Sequence, residues 1–431
     1  MRVVLIADAF PPMRTSGAVQ MRDLAHEFAK RGHEVTVITP MSGSSEPWLL
    51  EKANGYEVLR LRSPRAKDVG HARRALAEVA LPFCMMRNFS SSPLANASWD
   101  AVIWYSPSIF LGPLAARLKK NSNCPSYLIV RDIFPEWAVD MGVMRRGLAY
   151  RFFKLVEYYQ YSVANVIGIQ TPSNAPYFSK LGKKVKAKIE VLQNWLAEAA
   201  DIGCSVQVAT TSVTGRFIFV YAGNMGVAQG MDVLLDAAAL LKSRNDIGFL
   251  FVGRGSEAER LRADAAKRGL DNIAFHDEID PTEIPGLYAQ CNAGLVALDP
   301  RHKTHNVPGK FLSYMQAGLP VLASVNSGND LIHLIRSERV GEVSTEHTAS
   351  ELARLALEMV DQQAGDSEVR NRCRTLSKKL FSSAAAVQQI ARALDLRHKT
   401  SPYGAEAISN GLIHTEDPLA DGELALRSQQ E

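Results

Sequence analysis

The run RVVLIA at residues 2–7, followed by a helical stretch and then by EVTVIT at 34–39, constrains this chain more than any other feature. Two short runs rich in β-branched residues with one amphipathic helix between them make a βαβ unit. Such a unit closes as parallel strands with the helix on a sheet face. The helix is predicted from about residue 19 to 31, with Met21, Leu24, Ala25 and Phe28 at helical spacing and Gly32 as its stop. The alternation continues through strands at 101–105, 126–130 and 166–170, a further candidate at 189–192, and helices at 111–120 and 148–164.

Residues 198–215 (EAADIGCSVQVATTSVTG) lose both periodicity and large side chains, and the pattern then restarts. Strands are predicted at 217–221, 249–252, 273–276, 293–297 and 340–343, with helices near 231–244, 258–269, 284–289 and 350–362. The chain therefore reads as α/β, with two Rossmann-like parallel-sheet domains at 1–197 and 216–367 and a linker at 198–215. A helical segment at 368–395 is expected to pack back across the domains, and the polar tail 396–431 to be disordered. A length of 431 residues suits that division. Two such domains facing each other make a cleft lined by loops at the carboxyl ends of their strands, suited to a nucleotide on one side and an acceptor on the other.

In the second domain, residues 305–331 (HNVPGKFLSYMQAGLPVLASVNSGNDL) read as a polar loop, a short helix over 310–316, a stop at Gly318 and a buried strand over 320–324. Pro308 suits the start of a helix, where an amide hydrogen would be unpaired anyway. Gly309 and Lys310 then sit at a helix N-terminus, a natural seat for an anion, to which Lys310 adds a formal charge. A plain surface connection with a solvated lysine is the alternative.

A net charge of +4 does not call for nucleic acid, though local basic clusters suit anionic lipid. Five cysteines, widely spaced and without a CxxC, fit a reducing cytoplasm and no zinc site. The N-terminus reads as a buried strand rather than an export signal, and no apolar run reaches the ~18 residues that a membrane span needs.

Five segments carry a family likeness: SGAVQMRDLAHEFAKRGHEVTVIT, RDIFPEWAVDMGV, VYAGNMGVAQGMDVLLDAA, FVGRGSE and VPGKFLSYMQAGLPVLA. In this order and spacing the chain, over about residues 1–395, resembles the GT-B glycosyltransferases of family 4. Within them it looks like the WbuB-type branch, N-acetyl-L-fucosamine transferases of O-antigen and capsule gene clusters. The resemblance implies a retaining, metal-independent transfer from a UDP-sugar, which is a substrate rather than a cofactor, to an undecaprenyl-linked saccharide. Cofactors are none. The absence of an Asp-x-Asp pair in the sequence agrees. Without an ion, the departing diphosphate must be met by cations and amide hydrogens.

The chain departs from the family pattern at several positions. The family usually carries two glutamates with seven residues between them, one at the reacting sugar and one on the ribose; here His305 and Ser313 stand in their places. An arginine and a lysine that the family aims at the diphosphate correspond to Asn224 and Gln229. Lys310 is the candidate for the missing charge, with Arg254 second. The resemblance also implies that Gly17, in the loop before the first helix, lets its amide approach the diphosphate; an ordinary loop glycine is the alternative. Arg131 and Asp132 follow a buried strand where the family often has a His-Asp pair near the transferred sugar. Charged residues at such a strand end tend to be site residues, although an ion pair ordering the loop would look the same. Glu136 is a candidate for acceptor contact.

Two apolar-basic segments, 65–86 and 145–161, suit the surface of an anionic bilayer. The first is the expected docking element, at the cytoplasmic face of the membrane, and the second is expected to be a core helix. Rival readings are a UDP-sugar 2-epimerase on the same fold, a non-catalytic scaffold partner, and dinucleotide binding through Gly253-Arg254-Gly255, which lacks the last glycine of its fingerprint.

Overall fold

A computed structural model of the chain describes residues 1–13, 15–65, 71–140, 142–182, 185–300, 307–363 and 366–395. His305 and the tail 396–431 lie outside the described residues. The first lobe is built on eight strands: β1 (Arg2–Ile6), β2 (Glu34–Met41), β3 (Trp48–Ala53), β4 (Tyr56–Arg62), β5 (Ala101–Ser106), β6 (Ser126–Val130), β7 (Val166–Ile169) and β8 (Lys188–Val191). Their order is β3-β4-β2-β1-β5-β6-β7-β8, and every pair is parallel except β3 with β4. The helices of this lobe are α1 (Ser16–Lys30), α2 (His71–Ser90), α3 (Gly112–Ser122), α4 (Glu136–Asp140), α5 (Leu148–Val163) and α6 (Ala175–Leu181). β3 and β4, absent from the sequence reading, form a hairpin whose turn is Asn54-Gly55. Both residues have positive φ, 38° and 90°, the backbone that lets a two-residue turn follow the twist of its strands.

The second lobe holds β9 (Phe217–Ala222), β10 (Ile247–Val252), β11 (Ile273–His276), β12 (Ala293–Ala297), β13 (Val321–Ser324) and β14 (Gly341–Ser344), all parallel, in the order β11-β10-β9-β12-β13-β14. Its helices are α7 (Asp232–Leu240), α8 (Ala258–Lys267), α9 (Ile284–Ala289), α10 (Gly309–Ala317), α11 (Asp330–Glu338), α12 (Ala349–Gln363) and α13 (Val369–Leu376). A π-helical turn (Ser377–Phe381) then leads into α14 (Ser383–Ala393). Strands of continuous apolar character are buried along their whole length in both sheets, as parallel sheets covered on two faces require.

The segment 368–395 divides its side chains. Cys373, Leu376 and Phe381 pack into the second lobe's core. Ala386, Val387 and Ile390 of α14, with Leu394 just past its end, join Val3, Leu5, Leu24 and Phe28 in the first. Buried aliphatic side chains of that size contribute about 1.5–3 kcal/mol each, so α14 belongs energetically to the N-terminal lobe. The stretch read as a linker is not a free tether: Val206, Val208 and Val213 are buried in the second lobe's core.

Candidate active site

Both sheets end their parallel strands at loops, and the site residues gather there. In the second lobe the loop after β9 (223–230) and the loop after β10 (253–257) are laced together. Met225 N donates to Arg254 O at 2.7 Å, and Glu257 N donates to Met225 O at 3.0 Å. The contact is backbone on backbone, and it needs glycine. A Cβ on Gly253, whose φ is +144°, would lie 2.1 Å from Gly223 O, and one on Gly255 would lie 2.2 Å from Met225 O. Within the first loop, Gln229 Oε1 accepts from Gly226 N at 3.0 Å and from Asn224 Nδ2 at 3.2 Å.

α10 is held against these loops by its buried face. Phe311, Leu312, Tyr314 and Met315 are enclosed, and Tyr314 OH donates to the carbonyls of Val220 (3.1 Å) and Leu295 (3.2 Å), in the middle of β9 and β12. Pro308 caps the helix in extended conformation, placing Gly309 and Lys310 in its first turn. Lys310 Nζ lies 4.4 Å from the centre of the Tyr221 ring. A Cβ on Gly223 would be 3.3 Å from Nζ. The ammonium therefore sits over the glycine loop. Burial pulls Lys310 from the ordinary lysine value down to about 8, and among the described residues no carboxylate forms an ion pair with it. The structure thus brings Lys310, Gly309, Asn224 and Gln229 to one place, with Ser313 one turn along the same helix, its hydroxyl donating to Gly309 O at 3.4 Å. Arg254 shares the loop, but its largely exposed guanidinium pairs with Glu278 at 2.9 Å.

In the first lobe a cavity of about 570 Å³ opens at the carboxyl ends of β1, β2, β4, β5 and β6. Asp8, Asp132, Glu78 and Arg65 supply its charges, and Phe110, Phe134 and Trp137 its aromatic wall. Asp132 lines this cavity; Arg131 points elsewhere. Its guanidinium is buried, donates to Leu192 O (2.5 Å) and Gln193 O (3.2 Å), and lies 4.8 Å from the ring centre of the buried Trp195. In this structure Arg131 anchors the chain that leaves β8 and does not line the cavity. Glu136 also stands apart: it accepts from Tyr150 OH at 2.8 Å and pairs with Lys154 at 3.2 Å. Gly17 lies in the first turn of α1, not in the loop before it. A Cβ there would be 3.0 Å from Tyr105 Cε1, so packing against that ring already accounts for a glycine.

Asp8, Phe110 and Trp137 were missed in the sequence, and Asp8 was findable. It follows β1 as Asp132 follows β6, so the strand-end rule applies to both. Among the described residues no cluster of three His, Cys, Asp or Glu is placed to hold a metal ion, and no helix is long and apolar enough to cross a membrane.

Residues 16–195 match the family model described as "Glycosyl transferase 4-like domain", and residues 216–362 match "Glycosyl transferases group 1". WbjE of Pseudomonas aeruginosa, named as a glycosyltransferase, is 23% identical over 333 residues, 76% of this chain and 81% of its own. WcaI of Escherichia coli strain K12, named as a colanic acid biosynthesis glycosyl transferase, is 23% identical over 342 residues, 74% of this chain and 82% of its own. HepE of Anabaena, solved in complex with UDP and glucose, superposes with a TM-score of 0.62 at 14% identity, covering 92% of this chain and 100% of HepE.

Proposed function

We propose, for a chain that is a two-domain GT-B glycosyltransferase with a 4-like first lobe and a group 1 second lobe, that it moves a sugar from UDP to a lipid-linked saccharide with retention and without a metal ion. The finer reading is an N-acetyl-L-fucosamine transfer of the WbuB type to an undecaprenyl-linked acceptor, in O-antigen or capsule biosynthesis at the cytoplasmic face of the membrane. The name of WcaI, a colanic acid biosynthesis glycosyl transferase, supports that setting. The UDP held by HepE supports the donor.

One observation carries the reading: Lys310 is a half-buried ammonium without a carboxylate partner among the described residues, held over a glycine loop at a helix N-terminus. A half-buried cation of this kind is costly unless an anion completes it. A diphosphate on Lys310, with the free amides of the first turn of α10, fits that need. Asn224 and Gln229 then take the places of cations, contributing amide hydrogen bonds in place of charge. The cavity at Asp132 and Trp137 receives the acceptor saccharide. Its aromatic wall suits the apolar face of a sugar ring, and its carboxylates suit the hydroxyls. In the transfer, the departing phosphate oxygen accepts the proton of the acceptor hydroxyl while Lys310 stabilises the charge left on the diphosphate. Asp132 then orients the reacting sugar, and Arg131 acts through the backbone it holds.

A thermal-shift screen of UDP-sugars followed by transfer to a lipid-linked saccharide tests this. The expected result is stabilisation by UDP and by one UDP-sugar, with acceptor-dependent release of UDP. A protein that neither binds UDP nor transfers from any UDP-sugar defeats the proposal.

A further inference from the structure

The helix expected to be a core element carries a solvent-exposed apolar stripe. On α5, Leu148 is 84% exposed, Phe152 42%, Leu155 69% and Tyr159 45%. Their spacing of four, three and four residues puts them on one face of the helix. Val143, just ahead of it, is also exposed. A row of large exposed apolar side chains along one helix face marks a docking surface.

The exposed charges on the stripe's own segment, residues 142–163, are basic, while Glu136, 3.8 Å from Arg146, and the exposed Asp140 lie just ahead of it. Arg145, Arg146 and Arg151 are exposed. The only acid between residues 142 and 163 is Glu157, and it is fully buried, accepting from Tyr161 OH at 2.9 Å and held by Lys154 and Tyr177. A second copy packed on this face about a two-fold axis would set Arg145 and Arg151 against their own counterparts, with no exposed acid on the helix to meet them. An anionic lipid surface meets them all.

The stripe also adjoins the cavity of the first lobe. Phe153 packs on Phe152 (ring centres 5.4 Å apart) on one side, and on Phe134 (5.1 Å) and Phe110 (6.2 Å) on the other. Phe110 and Phe134 line the cavity. Exposed stripe and cavity wall are two sides of one aromatic cluster.

We propose that the α5 stripe of Leu148, Phe152, Leu155 and Tyr159, rimmed by Arg145, Arg146 and Arg151, docks the protein on an anionic bilayer and sets the first-lobe cavity beside the membrane surface. The proposal rests on the reading of that cavity as the seat of a lipid-linked acceptor and adds where the lipid lies: in the bilayer under α5, while its saccharide enters the cavity. The apolar residues enter the headgroup boundary, and the arginines stay at the phosphate level.

Flotation of the full chain with vesicles tests it, using phosphatidylglycerol–phosphatidylcholine mixtures against phosphatidylcholine alone. The wild type is expected to float with the anionic vesicles and to detach as salt is raised. Leu148→Ser with Leu155→Ser is expected to lower partitioning by roughly tenfold or more. Arg145→Gln with Arg151→Gln is expected to lower it by roughly tenfold and only on anionic vesicles. These four side chains are exposed, so both double variants should keep the wild-type melting midpoint and UDP affinity. A wild type that ignores anionic vesicles, or variants that float as it does, would overturn the proposal. So would a concentration-dependent dimer abolished by Leu148→Ser with Leu155→Ser, which would give the stripe to a second copy. UDP titration separates the two readings: loss of UDP binding by the wild type sinks the donor site and leaves the flotation result standing.

Discussion

Replacing Lys310 by methionine is expected to make the free protein more stable and to weaken its hold on UDP. Methionine has similar length and packs on Tyr221 without a charge. The drop of Lys310 from 10.5 to about 8 corresponds, at about 1.4 kcal/mol for each pH unit, to at most about 3.5 kcal/mol of cost for keeping the ammonium in the folded protein. The side chain keeps partial exposure, and solvent screening lowers the net gain to about 1–2 kcal/mol. The sign follows from proton linkage. The folded state binds the Lys310 proton less tightly than the unfolded state. The penalty is therefore complete below about pH 8 and fades as pH rises through the interval from the folded to the unfolded value. Melting midpoints of wild type and Lys310→Met should thus differ most near pH 7, with the variant higher, and converge toward about pH 10. With saturating UDP the variant's advantage is cancelled: loss of a charge-assisted contact worth about 2 kcal/mol weakens UDP roughly thirtyfold and shrinks its thermal shift below that of wild type. The reasoning is refuted if UDP stabilises wild type and Lys310→Met equally. It is refuted as well if the free variant melts below wild type at neutral pH, because the ammonium would then be a structural support.

UDP affinity of the wild type should fall about tenfold from pH 7 to pH 9, as free Lys310 loses its proton before the diphosphate can engage it, while Lys310→Arg should show a flat profile by calorimetry. Gly253→Ala should cost at least about 2 kcal/mol in a denaturant titration, since its Cβ would meet the Gly223 carbonyl at 2.1 Å and its φ is +144°. Trp137→Ala should raise the acceptor KM by tenfold or so with UDP affinity unchanged, because it lines the first-lobe cavity alone. Arg131→Met should destabilise by about 3 kcal/mol, and Arg131→Lys should not restore it, since one ammonium cannot serve both carbonyls while stacking on Trp195.

The parallel strands were legible because each is a short apolar run that stays buried on both faces, as AVIWY and SYLIV are. The β3–β4 hairpin was not read, because WLLEKA is the edge strand and both it and YEVLRLR have mixed burial. Its Asn54-Gly55 turn was nevertheless the strongest local signal there. α11 was passed over as well, although Asn329 caps it through Leu331 N at 2.9 Å. Lys310 was placed at a helix N-terminus from Pro308 and Gly309 alone. Its burial was not foreseeable, because it depends on Tyr221 and Gly223, nearly ninety residues away in the chain. Arg131 shows the opposite limit. Sequence gives it a strand end facing a cleft, but its side chain folds back to carbonyls some sixty residues on. For α5, spacing shows an apolar stripe but not whether protein covers it.

The crossing between the lobes explains why a buried arginine belongs in this architecture. The chain passes from one lobe to the other twice, and the two passages lie side by side. Leu196 N donates to Phe381 O at 2.8 Å, and Ser383 N donates to Leu196 O at 3.1 Å. On the first-lobe side the crossing is fixed. Arg131 holds the carbonyls of Leu192 and Gln193, and Trp195 Nε1 donates to Gln20 O of α1 at 2.8 Å. On the second-lobe side, one residue beyond Leu196, Ala197 O accepts from Gln316 Nε2 of α10 at 2.7 Å. The helix that carries Lys310 is thereby tied to the crossing itself. A second tie, Ser173 Oγ donating to Asp330 Oδ1 at 2.9 Å, links the lobes away from it. A rotation of one lobe against the other would turn about these two passages and would have to break the Ser173–Asp330 tie and the bond from Ala197 N to Asp23 Oδ2 (3.2 Å). On the proposed reading, the donor and acceptor halves of the site join through this crossing, and Arg131 holds its first-lobe end by the carbonyls of Leu192 and Gln193.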